Sequence, residues 1–272
     1  LLNSVHKAIE EKQRVVTLSP HTPGEPFEPM QADFFAEHTR AFVKIEDGCD
    51  RYCSYCIIPK ARGPIRSKPI EEIKTELSVL AQNGYKEVVL VGINLSSYGK
   101  ETGAFRLAEA VEAACAVEGI ERVRLGSLEP ELLTDDDLDR MARQKKFCPQ
   151  FHLSLQSGCD RPLKRMNRHY TAAEYEALVE RIRARFDNAA ITTDIMVGFA
   201  GETEEDFLES VSFAEKIGFA RVHVFAYSIR EGTRAEKMDG HLPKSVKEAR
   251  SREMIKRTDA LHAAFLQSQL LT

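Results

Sequence analysis

Three cysteines stand close together in Cys49-Asp50-Arg51-Tyr52-Cys53-Ser54-Tyr55-Cys56. The C-x3-C-x2-C spacing puts three thiolates on one short loop, close enough to converge on one metal centre. A tetrathiolate zinc site ordinarily needs two C-x2-C pairs, or one pair with downstream histidines. Here there is one pair plus one offset cysteine, and no second pair in the 272 residues. Three thiolates from one loop fit an iron–sulfur cluster that keeps one iron open for a substrate or cofactor. Two plainer readings stand beside it: a zinc site, and cysteines buried as small hydrophobes. The second sits badly with Asp47, Asp50, Arg51 and Ser54, a poor composition for a core segment.

The loop follows an apolar run (Ala41, Phe42, Val43, Ile45) that reads as a strand. C-x3-C-x-aromatic-C after a first strand resembles the signature of the radical S-adenosylmethionine (SAM) superfamily. In that family three thiolates hold a [4Fe–4S] cluster, and its open iron takes the amino and carboxylate groups of SAM. The aromatic residue before the last cysteine lies near the adenine. The resemblance therefore implies Cys49, Cys53 and Cys56 as cluster ligands and Tyr55 as a SAM contact.

Six strands are expected at 41–46, 87–92, 122–127, 151–156, 190–198 and 221–227. Helices are expected between them. Pro69 to Gln82 carries Ile73, Leu77 and Leu80 on one face and Asn83-Gly84 as a stop. Further helices are expected at 105–117, at 135–144 with Thr134 as N-cap, from Thr171 with a capping box, and at 204–217 before Gly218. Val88-Val89-Leu90-Val91 is continuously apolar, as a parallel strand covered on both faces should be. Repeated strand–helix units imply right-handed crossovers and a parallel sheet. Six units are too few for a closed eight-fold barrel, so the fold expected is α/β, a partial open (βα)6 barrel, which the superfamily resemblance also implies. Ligands of such sheets lie at the carboxyl ends of strands, the face on which the cysteine loop sits.

Later strands end in residues suited to ligand contact. Gly92-Ile93-Asn94 follows the second; glycine lets backbone approach a ligand, and the resemblance makes this the segment that binds the SAM amino group, without the usual acidic residue. A tight turn alone is the plainer reading. Ser127 and Glu129 follow the third strand and could bond ribose hydroxyls, or serve as a cap and a surface carboxylate. Gln156 follows the fourth, with Lys164, Arg165 and Arg168 beyond as cations for the SAM carboxylate or RNA phosphate, or as a solvated helix face. Asp194 and Gly198 lie on the fifth; a buried Asp194 needs a partner.

A narrower resemblance runs over about residues 40–250. Asp47-Gly48-Cys49, Cys56-Ile57-Ile58-Pro59, Ala61-Arg62-Gly63, Leu155-Gln156-Ser157-Gly158 and Gly201-Glu202-Thr203 are similar to the methylthiotransferases. Lys44 to Cys49, Gly92 to Gly99 and Gly126 to Pro130 are most similar to the branch acting on tRNA N6-threonylcarbamoyladenosine, just 3′ of the anticodon. Sister branches act on isopentenyladenosine in tRNA and on an aspartate of a ribosomal protein. Ala200 stands where that family usually has proline. The resemblance implies a 5′-deoxyadenosyl radical abstracting hydrogen from C2 of the adenine, with sulfur from a second [4Fe–4S] cluster. It also implies a tRNA anticodon loop and a reducing electron donor as partners, with no DNA; no membrane is expected either, since no run of about 18 apolar residues exists to span one. Lys60, Arg62, Arg66 and Lys68 are the cations expected against the RNA backbone. Family members carry an N-terminal cluster domain and a C-terminal TRAM domain. Residues 1–39 are thus expected to be the end of a first domain plus a Pro-rich linker, 40–242 the core, and 243–272 a helix leading toward TRAM. A non-catalytic iron–sulfur or zinc module is the alternative of another class.

A formal net charge of −4 argues against binding nucleic acid by bulk charge but leaves local basic patches open. Cys115, Cys148 and Cys159 read as structural, not as a disulfide framework, and a reducing cytoplasm is the consistent compartment.

Overall fold

A computed structural model describes residues 2–12, 14–15, 20–28 and 39–270. The elements, in order, are α1 (Leu2–Glu11), β1 (Ala41–Lys44), β2 (Glu46–Asp47), α2 (Ile58–Arg62), β3 (Arg66–Ser67), α3 (Ile70–Gln82), β4 (Glu87–Val91) and α4 (Leu107–Ala116). Then come β5 (Arg122–Leu125), β6 (Ser127–Leu128), α5 (Asp135–Ala142), β7 (Gln150–Leu153), α6 (Asp160–Arg165), α7 (Ala172–Arg183), β8 (Ala190–Val197), α8 (Glu204–Ile217), β9 (Arg221–Ala226) and α9 (Lys244–Gln269). All six expected strand positions are occupied. Arg14 to Leu18 also reads from sequence as a possible short strand; it falls largely outside the described residues, and Arg14 and Val15 are not in a strand.

The barrel strands pair in parallel in the order β1-β4-β5 and β6-β7-β8-β9. The third barrel strand is broken at Gly126 into β5 and β6, and a bridge from Val123 to Phe147 helps join the two sheets. Among the described residues β1 pairs only with β4 and β9 only with β8, so the barrel is open between β9 and β1. This is the α/β partial open (βα)6 barrel expected from the strand count.

The helix layer supplies the core. Ile73, Leu77 and Leu80 of α3 are fully buried with Ala41, Val43, Val88 and Leu90, and each such side chain contributes about 1.5–3 kcal/mol. Thr134, Thr171 and Thr203 cap α5, α7 and α8 through reciprocal capping boxes, and Gly218 ends α8 in the left-handed region at φ 64°.

Only β4 is covered as the apolar-run argument requires. On β8, Ile191, Thr193, Ile195 and Val197 are buried while Thr192, Asp194 and Met196 alternate with them toward the lumen. Helices cover one face of the sheet, and the open barrel leaves the other partly wet. The buried side of α9 is not its apolar one. Arg250, Met254 and Thr258 form its buried seam, whereas Ile255 and Leu266 are exposed. Arg250 is buried because it pairs with Glu202 at 2.7 Å and Glu204 at 3.0 Å.

Candidate active site at the barrel mouth

After β1 the chain turns out of the barrel, and β2 pairs antiparallel with β3 to close the base of the cysteine loop. Asp47 ties this base. Its carboxylate accepts from Lys44 Nζ at 2.6 Å, Gly48 N at 2.8 Å and Arg62 Nε at 2.9 Å. Burial alone would raise the Asp47 carboxyl, but the bonds from Arg62 and Lys44 outweigh it and hold the group well below the usual carboxylate range. Gly48 has φ 87°, and a Cβ there would overlap the Pro64 carbonyl. Gly48→Ala should therefore spring the loop base and cut iron incorporation on anaerobic reconstitution severalfold. Gly84, with φ 92° and open space around it, is the control. Gly84→Ala should cost only about 1 kcal/mol of backbone strain and leave iron content unchanged.

Within the loop, Ser54 is held from several sides. Its N–H donates to Met166 O at 2.8 Å, its hydroxyl to Arg165 O at 2.9 Å, and its carbonyl accepts from Ala235 N at 2.8 Å. Asn167 Nδ2 donates to Tyr52 O at 3.1 Å. The loop is thus fastened to the C-terminal end of α6 and to the segment after β9.

Cys49, Cys53 and Cys56 are free and half-buried. The N–H of Arg51 faces the Cys49 sulfur and that of Ile58 faces Cys56. Arg168 Nη1 lies 3.2 Å from Cys53 Sγ. Burial pushes the Cys49 thiol up to about 11 and raises Cys56 as well, so metal binding there would release protons. No three His, Cys, Asp or Glu side chains among the described residues converge as a single-ion site. A cluster instead takes one thiolate per iron, and hydrogen bonds to sulfur tune it. Three reduced thiols met by N–H donors and a guanidinium fit a [4Fe–4S] cluster.

The other expected contacts fall into two groups. Ser127, Glu129 and Gln156 lie at or just beyond the carboxyl ends of β6 and β7, Tyr55 and Arg168 lie in the loops beyond β2 and α6, and Asp194 sits within β8. Tyr55 packs edge-on to Phe199 at 6.3 Å, and Phe199 to Tyr227 at 4.9 Å. Ser127 is exposed on the lumen side, in register with His152. Gln156 takes φ 69° and bridges β8 through Asp194 O and Met196 N. Arg168 is buried and neutralised: it ion-pairs with Glu129 and donates to Ser154 O at 2.9 Å. Burial raises the Glu129 carboxyl, against the pull of Arg168 and Arg51. His152 Nε2 lies 3.2 Å from Asp194 Oδ2, which supplies the partner Asp194 was expected to need.

Gly92, Asn94 and Gly198 are accounted for by packing. A Cβ on Gly92 would sit 2.6 Å from Glu46 Oε2. Asn94 is buried, donating from N to Glu46 Oε2 at 2.7 Å and from Nδ2 to Ser97 Oγ at 2.8 Å. A Cβ on Gly198, at φ 72°, would overlap Lys247, and its N–H donates to Glu202 Oε1 at 2.8 Å.

Two of the four cations expected against RNA need correction. Lys68 is fully buried and ion-paired with Glu76 of α3. Arg66 is 5% exposed and donates to the Arg62 and Pro64 carbonyls beside Asp47. Both are structural, because a charge so buried must be spent on its partner. Lys60 is exposed, donating to Gly232 O at 2.5 Å, and Arg62 is partly exposed on Asp47.

Sequence reasoning passed over Glu46. It is fully buried, Oε1 has no partner, and burial pushes its carboxyl up to about 8. The folded protein keeps this proton where the unfolded chain has lost it, so stability falls as pH rises from about 4.5 to about 8. Glu46→Gln should flatten that limb of the stability–pH curve and stabilise the protein at pH 8, as urea unfolding across the range would report. The lumen residues His152 and His223 were also passed over, although period-two alternation in Gln150–Leu153 and Arg221–Ala226 puts them on one face with Phe225.

Residues 43–214 match the family described as the radical SAM superfamily. The chain belongs to the radical SAM superfamily. Membership implies a [4Fe–4S] cluster and SAM, and the three cysteines lie inside the matched span. The chain is 42% identical over 244 residues to the threonylcarbamoyladenosine tRNA methylthiotransferase MtaB of Thermotoga maritima, covering 89% of this chain and 55% of that protein. It is 44% identical over 221 residues to the tRNA-2-methylthio-N(6)-dimethylallyladenosine synthase of Caldicellulosiruptor saccharolyticus, covering 81% and 47%. It spans about half the length of the curated relatives it matches. Among solved structures it resembles coproporphyrinogen III oxidase (HemN) from Escherichia coli, with TM-score 0.59 at 16% identity over 83% of this chain and 54% of that one. That likeness speaks to the fold alone. No helix among the described residues is long and apolar enough to cross a membrane.

Proposed function

We propose that this chain is the catalytic core of a tRNA methylthiotransferase acting at C2 of N6-threonylcarbamoyladenosine, beside the anticodon. The observation that carries this reading is the 42% identity to MtaB over 89% of the chain, with the cysteine loop at the barrel mouth. Residues 40–242 are the core in this proposal. Residues 1–39 end a preceding cluster domain and its linker, and 243–272 lead toward an RNA-binding TRAM domain. A second [4Fe–4S] cluster outside these residues is the proposed sulfur source, and the enzyme works in the cytoplasm with a reducing electron donor.

Cys49, Cys53 and Cys56 would hold the cluster. When bound, the cluster would supply the one-electron reductive cleavage of SAM that makes removal of hydrogen from C2 of the base possible. The chain's own residues make the surroundings. Arg168 holds its charge beside Cys53 Sγ while Glu129 neutralises it, so no bare charge is left in the wall. Tyr55, Phe199, Met196 and Tyr227 form an apolar lining that excludes water beside the loop. Ser127 and Gln156 are the proposed ribose-side contacts, and Lys60 and Arg62 remain the cations offered to RNA phosphate.

A second reading, isopentenyladenosine in tRNA, is favoured by the 44% identity to the dimethylallyladenosine synthase. Mass spectrometry of tRNA nucleosides from a host with and without the gene separates the two. The expected result is gene-dependent methylthio-threonylcarbamoyladenosine. Gain of the methylthio group on isopentenyladenosine, or on a ribosomal protein, would overturn the assignment.

A further inference from the structure

The lumen wall of β7, β8 and β9 carries a group of side chains that the cluster loop does not use. His152 is fixed at both ring nitrogens, Nε2 at 3.2 Å from Asp194 Oδ2 and Nδ1 at 3.0 Å from Thr192 Oγ1. This locks the Asp194 carboxylate in place while leaving it partly open to solvent. His223 is in register with Asp194, its ring 5.8 Å from that of His152. Phe225 is in register with Met196, and 54% of it is exposed. Val222 and Val224, of opposite parity, pack into the helix-side core. The wall therefore presents a bare aromatic ring beside a fixed carboxylate acceptor.

We propose that this wall seats the target base, an adenine swung out of an RNA loop. The inference rests on the tRNA reading above. A flat base offers a face to stack on Phe225 and edge N–H donors for Asp194, the pairing of stacking and edge hydrogen bonds by which unstacked bases are read. Access supports the same assignment. The barrel is open beside β9 among the described residues, so a base tethered to a large RNA can reach this wall sideways. The adenine of SAM shares this chemistry, but SAM needs no lateral slot, and its expected contact Tyr55 packs on the Phe199 and Tyr227 side.

The test uses the cluster-reconstituted protein and an anticodon stem-loop RNA, with either adenosine or an abasic residue just 3′ of the anticodon. Binding is read by fluorescence anisotropy, and SAM affinity is measured separately without RNA. The wild type should prefer the base-bearing RNA by about tenfold, the scale of one base–aromatic stack. Phe225→Ala should erase most of that preference and Phe225→Tyr should keep it, with SAM affinity shifting less than about twofold in either, since only the RNA base stacks there. Equal binding of both RNAs by the wild type would overturn the proposal while leaving the tRNA reading intact. A Phe225→Ala protein that keeps its base preference but loses SAM affinity would assign the wall to SAM and overturn it too. No binding of either RNA by the wild type would overturn this inference, while the tRNA reading, whose proposed RNA-binding domain lies outside this chain, stands or falls on the nucleoside analysis.

Discussion

Alanine at any one of Cys49, Cys53 or Cys56 is expected to reduce iron content after anaerobic reconstitution from a full cluster to background. SAM cleavage should fall by about a thousandfold or more, because the cofactor carries the chemistry. The loop offers one sulfur per iron, and no fourth cysteine is near enough in sequence to substitute. The remaining cysteines provide the control. Cys115 is buried in the core, and Cys159 faces Glu209 at 3.1 Å between α6 and α8. Cys115→Ala and Cys159→Ala should bind iron as the wild type does. Iron retained by a loop variant, or lost equally from the core variants, would show that the loop is not the ligand set.

The second large effect is on stability. Lys68 and Glu76 are both buried and paired with each other, and Lys68 Nζ also lies 5.8 Å from the Phe27 ring centroid. Lys68→Ala should cost about 3–5 kcal/mol, mostly from stranding the Glu76 carboxylate in an apolar setting. Lys68→Met combined with Glu76→Leu should recover most of that loss, since two well-packed apolar side chains replace the pair without a desolvation cost. Urea unfolding of the two single variants and the double variant completes the cycle. RNA affinity per folded molecule should be unchanged in Lys68→Ala. Loss of RNA affinity at unchanged stability would return Lys68 to the surface role its charge first implied.

How far residue types and spacing reach is visible at these same positions. Strands 41–46 and 190–198 announce themselves by apolar and β-branched runs, and Thr134, Thr171 and Gly218 mark helix ends through local chemistry that needs no tertiary partner. The cysteine spacing is equally local. Burial of Lys68 is not, because a lysine is exposed by default and its partner sits on another element. One signal was present: Glu76 falls on the α3 face that carries Ile73, Leu77 and Leu80, and a carboxylate in such a stripe calls for a buried cation. The β2–β3 pair spans two residues on each side, too short for any periodicity to show. Gly198 looked like a ligand-facing glycine, yet its neighbour is Lys247, almost fifty residues away on α9. The seam of α9 is equally hard to read from residue types. Arg250 and Thr258 are polar by type and buried only because Glu202, Glu204 and the helix backbone satisfy them.

The central claim is that the Cys49/Cys53/Cys56 loop holds a SAM-cleaving cluster at the mouth of an open barrel. Anaerobic reconstitution with iron and sulfide, followed by reduction in the presence of SAM, tests it most directly. The expected result is a [4Fe–4S] centre whose spectrum changes on adding SAM, with 5′-deoxyadenosine and methionine released in equal amounts. A stoichiometric zinc site with no SAM cleavage would contradict it.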